Sequence, residues 1–421
     1  MTVVNYTGWE YLAIDVANNF NLDLDKKTFE ERIDWFNSNI EDLEKLAEGD
    51  KWKERPLYLK AVQTIRKAQK GASTGHMVGL DATCSGMQIM SVMTGCKPGA
   101  KATGLINPNA RADAYTECMS VVNNFITTNV IVSRSEIKEA VMTHLYGSKA
   151  EPEKLFGKDT EELAAFHKAM RIMAPGASEM LEALIHSWKP YELAHEWVLP
   201  DGYEVFIPVM QVQEDRIEVD ELGSSFTYQW SENLGVKKGV KNAANCVHSV
   251  DAYLLRTVIR RCNYDVNWAN NCNRAIQSLL IERLYNKSGP VSKDGLDLSE
   301  TALSLIDRYN ACLLADTILL DHLEVDQLAC LTSAHLRKLS GTIQSMLDHK
   351  PFPVVTVHDD FRAHPNNLNH LRKHYREVLA DIADSELLSD LLSQLYGQPV
   401  TVTKKSQDLS KYILNSNYAI C

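Results

Sequence analysis

The sequence predicts an α+β protein that is mostly helical. Three observations carry that prediction. Apolar residues recur at spacings of three and four through most of the chain. One central segment alternates instead in steps of two. Two short apolar runs, far apart, each end in an aspartate: Asp81 in VGLDATCSG and Asp359 in VVTVHDDF. Each run reads as a buried strand closed by a turn.

Residues 8–70 read as helical, with FEERIDWFNSNIEDLEKLAE setting acidic residues opposite an apolar stripe. GASTGHMVGLDATCSG is a glycine-punctuated passage into the first strand and out into a helix, MQIMSVMTG. A further helix is expected over 109–130. Another covers 134–147 and stops at Tyr-Gly-Ser, and residues 158–195 are helical again. The period then changes: EWVLPDGYEVFIPVMQVQEDRIEVDELGSSFTYQW alternates, with turns at Pro200-Asp201-Gly202 and Gly223-Ser224, and reads as hairpins. A helix over 244–262 follows, then a largely helical stretch from 266 to 348, the strand PVVTVHDDF and a helical C-terminal region. No internal repeat or low-complexity segment interrupts this order.

With 421 residues the chain can bury a sizeable core and divide into two or three domains. Its 45% hydrophobic and 24% charged content is ordinary for globular proteins. Nothing is long or apolar enough to span a membrane, and the opening MTVVNYTGWEYLAID lacks a basic segment before an apolar one. A soluble chain that is not exported and has no membrane partner is expected. The nine cysteines never form a C-x-x-C pair, which points to reduced thiols in a reducing cytoplasm. The net charge of −11 counts against nucleic-acid binding. Local clusters count the other way: Lys51, Lys53, Arg55, Lys60, Arg66, Lys67 and Lys70, then Lys237, Lys238 and Lys241.

A strand-end aspartate such as Asp81 is ordinarily a turn former or helix cap. Asp359 ends a run of five apolar or β-branched residues, where an unpaired carboxylate is costly, although a structural ion pair would also suit it. Arg134 and Lys138 lie one helical step apart and share a face, which Met142 and Tyr146 continue. Alone, that face reads as solvated charge. Together, two strand-end carboxylates and a cationic helix form a set that can hold two divalent metals against a triphosphate. That chemistry is nucleotidyl transfer.

The motifs carry a resemblance. Asp81-Ala82-Thr83-Cys84-Ser85-Gly86-Met87-Gln88 is similar to the Asp-Gly-Ser-Cys-Ser-Gly-hydrophobic-Gln motif of the single-subunit DNA-directed RNA polymerases of phages and mitochondria. Arg134, Lys138, Tyr146, Gly147 and Ser148 match its Arg-xxx-Lys-xxxxxxx-Tyr-Gly-Ser motif, and His358-Asp359-Asp360 its His-Asp-Ser. Lesser matches are Tyr115, the Pro-Asp-Gly hairpin at 200–202, His248-Ser249-Val250-Asp251 and the closing NYAIC. The similarity covers nearly the whole chain apart from an apparent insertion of roughly 80 residues between about 266 and 348.

The resemblance implies DNA-templated RNA synthesis on a right-hand palm and fingers with a small antiparallel palm sheet. It divides the chain at 1–75 (helical N-terminal part), 76–130 (palm with the first motif) and 131–195 (fingers). The rest becomes 196–262 (specificity-loop hairpins and helix), 263–348 (helical insertion) and 349–421 (palm with the second aspartate and tail). Asp81, Asp359 and the Ala82 carbonyl would hold two Mg2+ ions. Arg134, Lys138, Tyr146, Gly147 and Tyr115 would bind the ribonucleoside triphosphate, with Lys138 and Tyr146 also acting in catalysis and translocation. His248 and His358 would touch nucleic acid, and the partners would be template DNA and RNA product.

Family A DNA polymerases place a Glu five residues after the first aspartate, where it blocks a 2′-hydroxyl. Gly86 here leaves room for ribose, whereas Asp360 stands where DNA polymerases carry an acid. The family's triphosphate lysine aligns with Ala13. Its thumb, N-terminal domain and Asp-x-x-Gly-Arg motif find no counterpart in the first 80 residues. The expectation is the larger, catalytic subunit of a split, two-chain podophage enzyme in the cytoplasm of an infected bacterium. A smaller subunit would supply the missing parts, and a single-stranded-DNA-binding factor would recruit it. The alternatives are a primase or DNA polymerase relative, and a catalytically silent interaction subunit that kept the fold.

Overall fold

A computed structural model of the chain describes residues 3–21, 24–49, 52, 54–126, 132–235 and 239–421. Lys51, Lys53, Lys237 and Lys238 of the basic clusters lie outside the described residues. Helices dominate, and the described strands form three small antiparallel sheets. The central sheet comprises β1 (Val78–Asp81), β7 (Asp360–Ala363) and β6 (Val355–Val357), in the order β1-β7-β6. The hairpins are β2 (Ala194–Val198) with β3 (Glu204–Pro208), and β4 (Gln211–Val219) with β5 (Ser224–Glu232).

The central sheet solves a problem of sequence distance. Asp81 pairs with Asp360, and Val357 pairs with that same Asp360, so His358-Asp359 forms the tight turn between β6 and β7. His358 takes the strain with φ +54°. Asp359 thus sits in a hairpin turn and not at the end of a buried strand. The run before it is not buried either: Val355 and Val357 are 47% and 53% exposed. β6 lies at the sheet margin, so its β-branched residues report strand propensity and not depth.

The Ser85–Thr94 helix leaves β1 through Cys84, which adopts φ +57°. Its Gln88 is fully buried and satisfies three groups: Nε2 donates to the Thr103 and Ala419 carbonyls, and Oε1 accepts from Tyr375 Oη. The tail is therefore bonded to the first motif's helix. It also bridges β1 directly, through the Ala82–Ile420 pair and the bond from Cys421 N to the Asp81 carbonyl. Arg372, 2% exposed, ties the N-terminal segment to this tail by donating to the Val4 carbonyl, Tyr11 Oη and the Asn417 carbonyl.

Several helix boundaries differ from the periodic reading. Residues 8–70 break into Gly8–Phe20, Phe29–Asn39, Leu43–Leu46 and Arg55–Gln69, with capping boxes at Thr7 and Thr28 restarting the chain. The helix expected over 109–130 runs only from Ala114 to Asn123, because Asp113 caps it; residues 127–131 lie outside the described residues. Pro175 splits 158–195 into Glu161–Met173 and Pro175–His186, and Ala194 and His195 already belong to β2. The helix placed at 244–262 begins earlier, at Val240.

The stretch 266–348 holds helices Val266–Asn286, Glu300–Cys312 and Ser333–Leu347 around a separate apolar core. It joins the body through buried charge. Asp201, in the Pro-Asp-Gly turn, accepts a two-oxygen bond from Arg256, and Arg260 bridges Asp201 to Asp316 at 3.5 and 2.7 Å. Asp201→Asn leaves two guanidinium groups against a neutral amide. A loss of about 3 kcal/mol is expected, since unpairing a buried ion is costly, and urea denaturation checks it.

Candidate active site

The sheet turn and the cationic helix meet at one cavity of about 640 Å³. Asp81, Ala82 and Asp359 line it together with Tyr115, Arg134 and Lys138. The helix carrying the cations, Arg134–Leu145, forms because Ser133 and Glu136 make a full capping box at its start. Arg134 and Lys138 both lie over the Tyr115 ring, at 5.4 and 5.7 Å from its centre. Met142 completes the same wall.

Asp81 is electrostatically poised. Desolvation pushes its carboxyl up to about 6, reinforced by the neighbouring charges of Asp359 and Asp360. Among the described residues no Lys or Arg pairs with Asp81 or Asp359, whereas Asp360 is bound at 2.7 Å by Arg362. Among the described residues there is also no cluster of three or more His, Cys, Asp or Glu suited to a metal. The donor set is two hard carboxylates beside an exposed turn. That suits Mg2+, which takes one or two protein carboxylates and completes its shell with water and substrate phosphates.

Asp360 does not join the pair. One oxygen is held by Arg362, and the other is buried against Gly79, where a Cβ would stand 2.5 Å from it. It reads as a structural ion pair.

Tyr146 caps the Arg134–Leu145 helix and packs edge-on against His248 at 4.5 Å between ring centres. Burial pushes its phenol up to about 12. Its hydroxyl faces Gly86: a Cβ there would stand 3.2 Å from Tyr146 Oη. Tyr146, His248 and Gly86 thus form a second group beside the cavity. Gly147 (φ +83°) turns away and lines a different cavity, of about 820 Å³, with His144, Lys168 and Arg171. His358 stands in the β6–β7 turn next to Asp359.

Three residues, Asp113, Lys26 and Arg111, escaped the sequence reading, and Asp251 entered it only as the end of a lesser match. Asp113 grips Arg134 with both oxygens, at 2.7 and 3.1 Å, while capping the Tyr115 helix, so one carboxylate orients both walls. Its position two residues before Tyr115 was the available signal. Asp251, one helical turn after His248, is pushed up to about 6 by burial and then by the charge of Asp359. Lys26 and Arg111 also line the cavity. Ala13, aligned with the family's triphosphate lysine, is 1% exposed in the Gly8–Phe20 helix and belongs to the core. Lys26 lies on a short turn that periodicity does not mark.

Residues 3–154 match the family model described as DNA-dependent RNA polymerase. That segment holds Asp81, Tyr115, Arg134, Lys138 and Tyr146, and Asp359 is brought back to it by the β6–β7 hairpin. Similar proteins include the mitochondrial DNA-directed RNA polymerase 1 of Arabidopsis thaliana, 23% identical over 340 residues that cover 66% of this chain and 35% of that protein. The DNA-directed RNA polymerase of Pseudomonas phage phiKMV is 23% identical over 353 residues, covering 69% of this chain and 41% of that one. The chloroplastic/mitochondrial DNA-directed RNA polymerase 2 of Nicotiana sylvestris is 22% identical over 362 residues, 70% of this chain and 35% of that one. The chain therefore spans 35–41% of the length of these relatives.

The raised Asp81 carboxyl makes a stability prediction for the metal-free chain. A carboxyl that holds its proton more tightly when folded favours folding at low pH, and that advantage is lost as pH rises from about 4 through about 6. In chelator, Asp81→Asn should therefore melt above wild type at pH 7.5, with the gap narrowing towards pH 4.5. Equal melting points at pH 7.5 would show that the charges at 81 and 359 do not strain the fold.

Proposed function

We propose that this chain, a relative of the single-subunit DNA-directed RNA polymerases of phages and organelles, adds ribonucleotides to an RNA 3′ end under the direction of a DNA template. The observation that carries the reading is the single cavity around which Asp81, Asp359, Tyr115, Arg134 and Lys138 meet. In this reading residues 76–130 and 349–421 form the palm, and 131–195 form the fingers.

Asp81, Asp359 and the Ala82 carbonyl would hold two magnesium ions, which when bound supply positive charge to the reacting phosphate and the leaving pyrophosphate. The other roles fall to side chains. Lys138 binds the triphosphate and hands a proton to the departing pyrophosphate. Arg134, aimed by Asp113, forms a fork for phosphate oxygens. Tyr115 fixes both cations from beneath. Tyr146 bounds the ribose and base, His248 braces Tyr146 and reaches the nascent pair, and His358 stands beside the 3′ end.

Ribose follows from Gly86. Position 86 has no side chain to exclude a 2′-hydroxyl, and the group next to it is the Tyr146 hydroxyl, 3.2 Å from where a Cβ would stand. The DNA polymerase alternative leaned on Asp360, which Arg362 already neutralises.

A protein partner belongs to this reading. The β4–β5 hairpin, where relatives would place a promoter-reading loop, carries Glu214, Asp215, Glu218, Asp220, Glu221 and Glu232 against Arg216 alone. Such a hairpin is repelled by phosphate, so promoter capture falls to other surfaces. A smaller polymerase subunit and a recruiting factor that binds single-stranded DNA would meet that need in the cytoplasm of an infected bacterium.

Primer extension on a single-stranded template tests the reading, with the chain alone and with the candidate partner. Ribonucleotide addition that Asp359→Asn lowers at least a thousandfold is expected. Gly86→Glu should lower ribonucleotide use more than deoxyribonucleotide use. Unchanged extension by Asp359→Asn would leave a silent scaffold as the better reading.

A further inference from the structure

The cations of the cavity are not equivalent. Arg134 is already neutralised by the two oxygens of Asp113. Lys138 stands without a salt bridge among the described residues, over the Tyr115 ring. Arg111 differs from both. It lies on the loop just before the Asp113 cap, so its backbone is held by the start of the Ala114–Asn123 helix. Its Nε donates to Cys421 Sγ at 2.9 Å, a weak acceptor, and the charges of Asp25 and Asp113 act on it from nearby without the two-oxygen grip that holds Arg134. It is half-buried between two cavities: the one holding Asp81, Asp359 and Lys138, and a second of about 280 Å³ holding Asp15, His76, Asp360 and Arg362.

The charge balance gives Arg111 work to do. Asp81 and Asp359 are the carboxylates a pair of divalent ions would offset, and Asp113 is consumed by Arg134. Lys26 and Asp25 line the same cavity with opposite charges, so a triphosphate's roughly four negative charges still exceed what Lys138 and two ions shared with the carboxylates can meet. The motif that brought Arg134 and Lys138 to notice contains no residue at position 111, and the position where a further lysine was expected is Ala13, sealed in the core.

We propose that Arg111 is a phosphate-binding residue of the nucleotide site, presenting its guanidinium to the outer phosphates of the incoming nucleoside triphosphate in the cavity it shares with Lys138. The inference rests on the nucleotide-binding reading above. Arginine suits the place because its planar fork meets phosphate with two bonds and stays charged when half-buried. Cys421 Sγ holds the base of the fork, so the tail next to Asp81 also sets the direction of Arg111.

The test is equilibrium binding of GTP and of GMP, each with Mg2+, to the full chain and to Arg111→Gln, Arg111→Lys and Lys138→Ala. Arg111→Gln should weaken GTP at least tenfold while changing GMP less than twofold, and Arg111→Lys should recover part of the loss. A residue that only anchors the tail would weaken both nucleotides alike, and that result overturns the proposal. So does Arg111→Gln that binds GTP as wild type does while Lys138→Ala has lost it; the nucleotide-site reading then survives alone. If neither wild type nor any variant binds GTP, the nucleotide-site reading falls and takes this inference with it. Circular dichroism of Arg111→Gln separates a lost contact from a lost fold, and Arg111→Lys serves if the Gln variant is misfolded.

Discussion

Two neighbouring carboxylates, Asp81 and Asp359, that no Lys or Arg pairs with among the described residues are the constraint around which this molecule is arranged. Left alone they repel, and that repulsion adds to the burial that already pushes the Asp81 carboxyl up to about 6. A fold that only sought stability would have paired one of them, as it paired Asp360 with Arg362 and Asp113 with Arg134. The repulsion persists because the backbone, not the side chains, fixes the spacing. β1 and β7 are bonded along their length, the β6–β7 turn has two residues, and the tail clamps the far side of Asp81.

The polar groups buried beneath the site serve that clamp. Gln88 joins the first motif's helix to the tail and to the Tyr375 helix in one amide. Arg372 joins the N-terminal segment to the same tail while lying over the Tyr6 and Phe29 rings. Buried groups of this kind hold one arrangement, because every alternative leaves a donor or acceptor unpaired at about 1–3 kcal/mol each. The glutamine in the motif is therefore a structural hub, and the aspartate seven residues before it is the group it steadies.

The sequence reading was strongest where a residue's neighbours along the chain settle its state. The Arg134 helix and the hairpins at Pro-Asp-Gly and Gly223 were legible for that reason. It was weakest where the outcome depends on distant partners. PVVTV looked like a core strand because valine marks strand propensity and burial alike, and only the sheet order shows it at the margin. The 109–130 helix was drawn too long because an aspartate before a tyrosine looks unremarkable until it caps a helix and grips an arginine from another. Lys26 and Arg111 lie on irregular segments, which periodicity does not describe.

By itself the sequence determined the chemical types and local frames: two aspartates after apolar runs, a basic helical face, a glycine at 86, and a mostly helical chain with a few hairpins. These follow from periodicity, capping and turn chemistry, which act over a handful of residues. Tertiary structure alone decided which acids face each other, that Asp360 is spent on Arg362, that Tyr146 rather than open space meets Gly86, and that Arg111 shares the cavity with Lys138. Those facts depend on strand register and on contacts across hundreds of residues. No local pattern encodes them, because each is settled by the burial and pairing of groups that meet only when the chain is folded.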